Sequence, residues 1–415
     1  MLKGNLLQAQ FKNLVIAVET NGENPVYDPT ISISRKNPKN IAVGVMKDKV
    51  IYTKDGGLSW KATGLSSSYG NGGNPVLVGD IKGELFYYHL ADESNKRDRI
   101  VVHKSTDGGE SWSDGEFLGY NPPTRQRYSR AAVHPRKQIV YATWTQFDQY
   151  GSTDANCHSN IMFSMSANGG KKWSKATQIS QTPGNCADDD NSVAGAMPAV
   201  DQRGRVFVAW SNQGTIFMDR SFDGGTTWLT NDLGITKQEG GWSLNIPGFR
   251  RTHGMPVLVV DNSKGRLNGS IYLVWAGQQN SEDDTDIWFM RSTNQGDFWT
   301  QPLRINQDEA GKHQFLPALA VDDETGYIYI VYYDRRAYDD LQTDVYLAYS
   351  MDGGASFKEA KISEKPFTPS AEKGVGNYLG IDAYKGIIMP VWTRTDEGRT
   401  SVLTTIIKDT ELIKK

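Results

Sequence analysis

The 415-residue sequence contains two cysteines, six histidines and no long basic run, and each scarcity excludes something. Neither Cys157 nor Cys186 sits in a CxxC pair or beside a histidine cluster, so the familiar zinc spacings are absent. His158, His253 and His313 are dispersed, with no Ser-His-Asp or two-His metal spacing around them. Lys and Arg number 45 against 48 Asp and Glu, a net charge of −3 that argues against a nucleic-acid partner. No stretch of 18 apolar residues exists that would make a membrane-spanning helix. The opening Met1-Leu2-Lys3-Gly4-Asn5 lacks the apolar core of a secretory signal, so the chain reads either as cytosolic or as a mature form given a new Met. Both cysteines lie in loop-like sequence, where a Cys157–Cys186 disulfide is expected. That bond would imply an oxidising compartment, hence a secreted, periplasmic or cell-surface protein.

What the chain has in quantity is glycine (42), tyrosine (19) and tryptophan (11), the composition of many short strands and tight turns. One signature, Ser/Thr-x-Asp/Asn-x-Gly-x-x-Trp/Phe, occurs six times. It runs Thr53–Trp60, Ser105–Trp112, Ser166–Trp173, Ser221–Trp228, Ser292–Trp299 and Ser350–Phe357. A repeat of this period is one supersecondary unit copied around an array. Each copy follows a β-rich run such as Asp344-Val345-Tyr346-Leu347-Ala348, which makes it the tip of a hairpin. The Asp or Asn accepts hydrogen bonds from the turn's own backbone, and the closing aromatic offers an apolar face to its surroundings. Asn168 and Asn294 replace Asp in two copies, so the position is structural and not a catalytic acid.

The signature resembles the Asp-box, or BNR repeat, of the sialidase (neuraminidase) superfamily of β-propellers. The resemblance implies an all-β propeller and a single domain over residues 1–415. Six boxes give six four-stranded units, and a seventh without a box follows at Leu379–Asp382, Ile388–Trp392 and Ser401–Ile407. That unit has three strands, while Asn13–Val18 has none to pair with. Joining them closes a ring of seven blades and removes two exposed edges. Six blades, the sialidase number, is the alternative.

In such a ring the box turns share one face. The other carries the long varied loops, where function is expected. Arginines crowd this second face, and Arg130, Arg250, Arg251, Arg336 and Arg394 are the candidates to bind an acidic sugar, since a guanidinium matches a carboxylate bidentately. Trp242 is a candidate stacking platform. The resemblance implies an arginine triad for the sugar carboxylate, a tyrosine nucleophile activated by a glutamate, and an aspartate acid/base. Tyr378, Glu239 and Asp334 are the residues set against those catalytic roles. The place of the family's first arginine, in its Arg-Ile-Pro motif, reads Tyr27-Asp28-Pro29 here. No cofactor is expected, with a structural calcium at Asp188-Asp189-Asp190 as the one metal the composition suggests. The expectation is a monomeric, sialidase-like glycoside hydrolase acting on an acidic or complex glycan. A non-catalytic glycan- or protein-binding propeller and a polysaccharide lyase are the alternatives. The lyase would need a Tyr or His base and an Arg or cation to neutralise a uronate.

Overall fold

The structure is a computed structural model that describes residues 11–19, 26–46, 49–92, 99–249, 252–369 and 375–413. Strand β1 (Leu14–Val18) is followed by the first blade, β2 (Thr30–Ile33), β3 (Ile41–Val45), β4 (Lys49–Thr53) and β5 (Lys61–Gly64). The second blade is β6 (Gly73–Gly79), β7 (Leu85–Leu90), β8 (Ile100–Ser105) and β9 (Glu116–Leu118). The third is β10 (Arg125–Val133), β11 (Val140–Phe147), β12 (Ser159–Ser166) and β13 (Thr177–Gln178). The fourth is β14 (Ala194–Val200), β15 (Val206–Asn212), β16 (Thr215–Ser221) and β17 (Leu233–Lys237). A small hairpin, β18 (Ser243–Leu244) and β19 (Thr252–His253), precedes the fifth blade, β20 (Val257–Val260), β21 (Ile271–Ser281), β22 (Asp284–Ser292) and β23 (Leu303–Arg304). The sixth blade is β24 (Gln314–Val321), β25 (Ile328–Asp334), β26 (Asp344–Ser350) and β27 (Lys358–Lys361). The seventh contains β28 (Gly380–Tyr384), β29 (Ile387–Asp396) and β30 (Arg399–Thr404), and β1 supplies its fourth strand. Leu14 pairs with Thr404 and Val18 with Ser401. Seven antiparallel blades, closed by the two ends of the described chain, are therefore observed, and the six-bladed alternative is excluded.

Second strands carry the packing. Every residue of β7, β15 and β25 is buried, because one side of each strand meets the preceding blade and the other side the following one. Phe86 and Tyr88 pack toward Trp144 of the third blade, while Tyr87 packs with Tyr52 of the first. Each such large side chain removed from water contributes about 1.5–3 kcal/mol.

The six repeats form one and the same turn. Ser221 Oγ bonds Asp223 Oδ1 (2.8 Å), Gly225 N–H donates to Ser221 Oγ (2.7 Å), and Thr227 N–H donates to Asp223 (2.8 Å). With asparagine, Asn294 Oδ1 accepts Phe298 N–H at 3.0 Å. Hydrogen bonds from the Thr227 backbone and hydroxyl hold the Asp223 carboxyl well below the usual carboxylate range, which keeps it an ionised acceptor. The turn also staples neighbouring blades together. A Cβ at Gly225 would stand 2.3 Å from the Phe163 ring, and its φ is +95°. Only glycine meets both conditions. Trp228 then packs edge-on against the same ring at 4.9 Å.

On the opposite face, Cys157 in the β11–β12 loop is bridged to Cys186 in the loop entering β14, with a Cα–Cα distance of 5.6 Å. The bridge closes a 29-residue segment. Replacing both cysteines by serine is expected to lower unfolding free energy by about 3–4 kcal/mol on the loop-entropy account. Denaturant melts of the variant and of the reduced wild type check this; coincident curves for native and variant protein would show the bridge adds nothing.

Candidate functional site

Inner strands enter the ring from the face away from the box turns, and their first residues are conformationally unusual. Asp28, Asn74, Tyr128 and Leu316 have φ of 55°, 62°, 54° and 54°, and Gly195 has 76°. Register shifts accompany these entries in β6, β10, β14 and β24. Non-glycine residues in the left-handed region cost free energy, and such positions gather where backbone must present side chains inward.

Tyr378 stands at the mouth just before β28. The Arg130 guanidinium lies over its ring, 4.4 Å from the centroid. The His253 ring, carried by β19, lies 4.9 Å from the same centroid. The Tyr378 hydroxyl reaches Asn74 Oδ1 at 3.4 Å, and Asn74 Nδ2 donates to Ser129 Oγ at 3.2 Å. Arg130 Nη1 donates to the Ser129 carbonyl at 3.0 Å. Among the described residues no carboxylate closes an ion pair with Arg130. Beneath Tyr378 lies Asp28, 4% exposed, whose Oδ1 accepts the Asn377 backbone N–H. Burial pushes its carboxyl up to about 6, against the lowering pull of the Asn377 and Tyr378 backbone N–H groups and of Arg130. Blades one, two, three and seven, together with the β18–β19 hairpin, thus bring Asp28, Asn74, Arg130, Tyr378 and His253 to one place.

The neighbouring wall is aromatic. The Tyr128 and Tyr150 hydroxyls both donate to Asp188, each at 2.6 Å, and the Arg127 guanidinium lies 4.5 Å from the Tyr150 ring centroid. The disulfide packs against Tyr128 and Phe147 behind them.

Several residues expected at the site stand elsewhere. Trp242 is not a stacking platform. It is 1% exposed, its Nε1–H donates to the Ser192 carbonyl (3.1 Å), and Tyr128, Ala194 and Met255 cover it. Arg336 turns outward, bonding Asp334 (2.6 Å) and Glu359 (2.8 Å) and lying over Tyr346; Glu359 belongs to the outermost strand of its blade. Asp334 is consumed by that pair and by Gln314. Burial pushes its carboxyl up to about 6, opposed by Arg336. Arg394 is paired with Asp396 at 2.6 Å, a carboxylate shared with Lys365 at the seam between the sixth and seventh blades. Glu239 is exposed beyond the outermost strand of the fourth blade. Arg250 and Arg251 lie outside the described residues.

The Asp188–Asp190 loop spends its carboxylates internally: Asp188 on the two tyrosines, Asp189 on Asn185 and Asn191, and Asp190 on the Ser243 N–H. Among the described residues no group of three or more His, Cys, Asp or Glu is arranged to hold a metal. No helix among them is long and apolar enough to cross a membrane.

A separate cavity lies along the axis away from this mouth. It is the channel toward the box-turn face, about 530 Å³, walled by apolar inner-strand residues from all seven blades, Ile31, Leu77, Val133, Ala199, Leu258, Leu319 and Ile381 among them. Its polar rim includes Arg35, Asp323 and Asp382, which are spent on one another in ion pairs.

No protein-family model matches the sequence, and no curated protein matches it. Solved structures do share its architecture. An ulvan lyase of polysaccharide lyase family PL25 superposes with a TM-score of 0.57 at 12% identity, covering 96% of each chain. The α-L-arabinofuranosidase Arb93A of Fusarium graminearum gives 0.52 at 13% identity, over 97% of this chain and 99% of the other. The NanB sialidase of Streptococcus pneumoniae gives 0.52 at 11% identity, over 81% and 68%. At these identities the likeness is one of fold: the chain is built as the propellers that carry sialidases and other glycan-active enzymes are built.

Proposed function

We propose that the protein binds an acidic polysaccharide across the mouth and cleaves it by β-elimination beside a uronate. One observation carries this reading: the axial tyrosine, Tyr378, lies between a guanidinium and an imidazole. Elimination needs a cation to neutralise the uronate carboxylate, so that the proton on C5 becomes acidic, and a base and an acid to move protons. Arg130 supplies the charge. Of His253 and Tyr378, one takes the C5 proton and the other protonates the departing oxygen as the C4–O bond breaks and a C4=C5 double bond forms. Water is not consumed.

The sialidase arrangement is less well supported. Its tyrosine nucleophile requires an activating glutamate, and among the described residues none contacts Tyr378. Tyr27 stands where that family's first arginine would be, in the run Tyr27-Asp28-Pro29. Hydrolysis remains the second reading because a carboxyl pushed up to about 6 is suited to general-acid work. The lyase, arabinofuranosidase and sialidase among the structural neighbours agree with a glycan substrate for this chain too. The disulfide agrees with an exported protein.

The test is a screen of acidic polysaccharides that reads ultraviolet absorbance and reducing ends together. Elimination yields both signals, hydrolysis only reducing ends, and a binding protein neither. Reducing ends without absorbance would overturn the elimination. Arg130→Ala is expected to weaken binding of a uronate ligand by about 1.5–3 kcal/mol, the worth of a charge-assisted hydrogen bond. Calorimetry with wild type and variant measures it.

A further inference from the structure

We infer that Asp28 is a positioning residue that makes the mouth's affinity for an acidic sugar depend on pH, by setting how much of the Arg130 charge a ligand meets. The inference rests on the acidic-glycan reading above.

The geometry begins with the backbone. Asp28 occupies the left-handed entry of the first inner strand, and its Oδ1 accepts the Asn377 N–H directly below Tyr378. The 376–378 segment is seated on it so closely that a Cβ at Gly376 would stand 2.5 Å from Asp28 Oδ1 and 2.8 Å from its backbone nitrogen. Gly376 also has a φ of +80°. Asn74, at the corresponding entry of the next blade, is neutral, as are Tyr128 and Leu316. Asp28 is the carboxylic acid in this series, and with Asn74 it is one of the two members that meet the Tyr378 segment.

Among the described residues, Arg130, Tyr333 and His253 are the charged or titratable groups that act on it, feel its charge or lie close by. Arg130 acts on it from the third blade, and the Tyr378 backbone from the seventh. Tyr333 of β25 feels its charge from the sixth, with the Tyr333 hydroxyl donating to the Thr393 carbonyl at 2.6 Å. The His253 ring packs on the Tyr378 ring, and the Asn377 N–H of the same segment meets Asp28 through the backbone. Arg130 is thus the cation whose field Asp28 offsets. With Asp28 ionised, a ligand carboxylate arriving at Arg130 meets a partly compensated cation and a buried like charge. With Asp28 protonated, both obstacles vanish while the hydroxyl-bearing acid still offers an oxygen to the Asn377 N–H.

Linkage fixes the sign. The free carboxyl titrates near 6, and a bound carboxylate raises it further. Affinity therefore increases as pH falls through the window above about 6 and levels off below it. A uronate stays ionised throughout that window.

The experiment uses the full chain and glucuronate, as monomer and as short oligomer, with dissociation constants measured at pH 8 and pH 5.5. Wild type is expected to bind about fivefold or more tightly at the lower pH. Asp28→Asn is expected to bind at both pH values as wild type does at the lower one. A ligand-free arm reads the same group: wild type should lose thermal stability relative to Asp28→Asn as pH rises from 5 to 7.5, because its folded-state carboxyl titrates above the unfolded one. Gly376→Ala, which shifts the loop without changing charge, should lower affinity yet keep the pH slope. An unchanged slope in Asp28→Asn overturns the inference alone. Absence of glucuronate binding by wild type at either pH overturns the acidic-glycan reading, with the inference built on it.

Discussion

Tyr378→Phe is expected to lower turnover by about 10²–10⁴-fold, the usual worth of a positioned proton donor or acceptor, while leaving ligand affinity within a factor of a few. The substitution removes one oxygen. It keeps the ring on which Arg130 lies at 4.4 Å and against which His253 packs at 4.9 Å, so the mouth retains its shape. What disappears is the hydroxyl that now reaches Asn74 Oδ1 at 3.4 Å. A fall in kcat at constant binding identifies a group that acts in the transition state. Single-turnover absorbance and calorimetry on the same preparation separate the two quantities. Wild-type turnover in Tyr378→Phe would remove the tyrosine from both the elimination and the sialidase-type mechanism, leaving His253 to act with another acid.

Why was this tyrosine legible when its neighbours were not? Tyr378 and Arg130 declare themselves by place, one at the entry of the last inner strand and the other within the third. The repeat alone fixes where inner strands enter, which also makes the β1–β30 closure and the facing of the two cysteine loops readable. Asp28 and Asn74 each precede a proline and read as ordinary turn residues. Their signal is the left-handed conformation, with φ of 55° and 62°, that Asp and Asn tolerate better than most residues. His253 could not be placed from the chain, since its meeting with Tyr378 depends on how the β18–β19 hairpin crosses the mouth.

Trp242 misled for a physical reason. A tryptophan after two glycines suggests an exposed loop, but the glycines let the chain fold tightly enough for Tyr128 and Met255 to bury it. Arg336 shows the complementary failure. Its charge is evident from the chain, yet adjacent positions at a strand end point in opposite directions. Arg336 therefore went outward to Glu359, while Arg335 stacks on Phe249 and Phe315.

Arg35→Met should be among the most damaging single changes to stability, because this one side chain ties three blades at the ring's closure. From the exit of β2 in the first blade, its Nη1 and Nη2 grip the Asp382 carboxylate of the seventh at 2.8 and 2.9 Å. Its Nε donates to Asp323 of the sixth at 2.8 Å, and its guanidinium lies 5.0 Å from the Tyr384 ring centroid. The arginine side chain is 25% exposed and Asp382 15%. Methionine matches the stem's bulk but leaves two carboxylates facing each other with no cation between them. Removing one partner of a buried pair costs about 3–5 kcal/mol. Because Asp323 is about one-third exposed, the lower half of that range is expected. The sign of the pH dependence follows. Carboxylates deprived of their cation hold protons more tightly in the folded state than in the unfolded, so the deficit is full near neutral pH and shrinks as acid neutralises them. Denaturant midpoints of wild type, Arg35→Met and Arg35→Met/Asp382→Asn across pH 4.5–7.5 measure this, the double variant recovering part of the loss. An Arg35→Met protein as stable as wild type at pH 7.5 would mean that the β1–β30 pairing holds the ring shut without this contact.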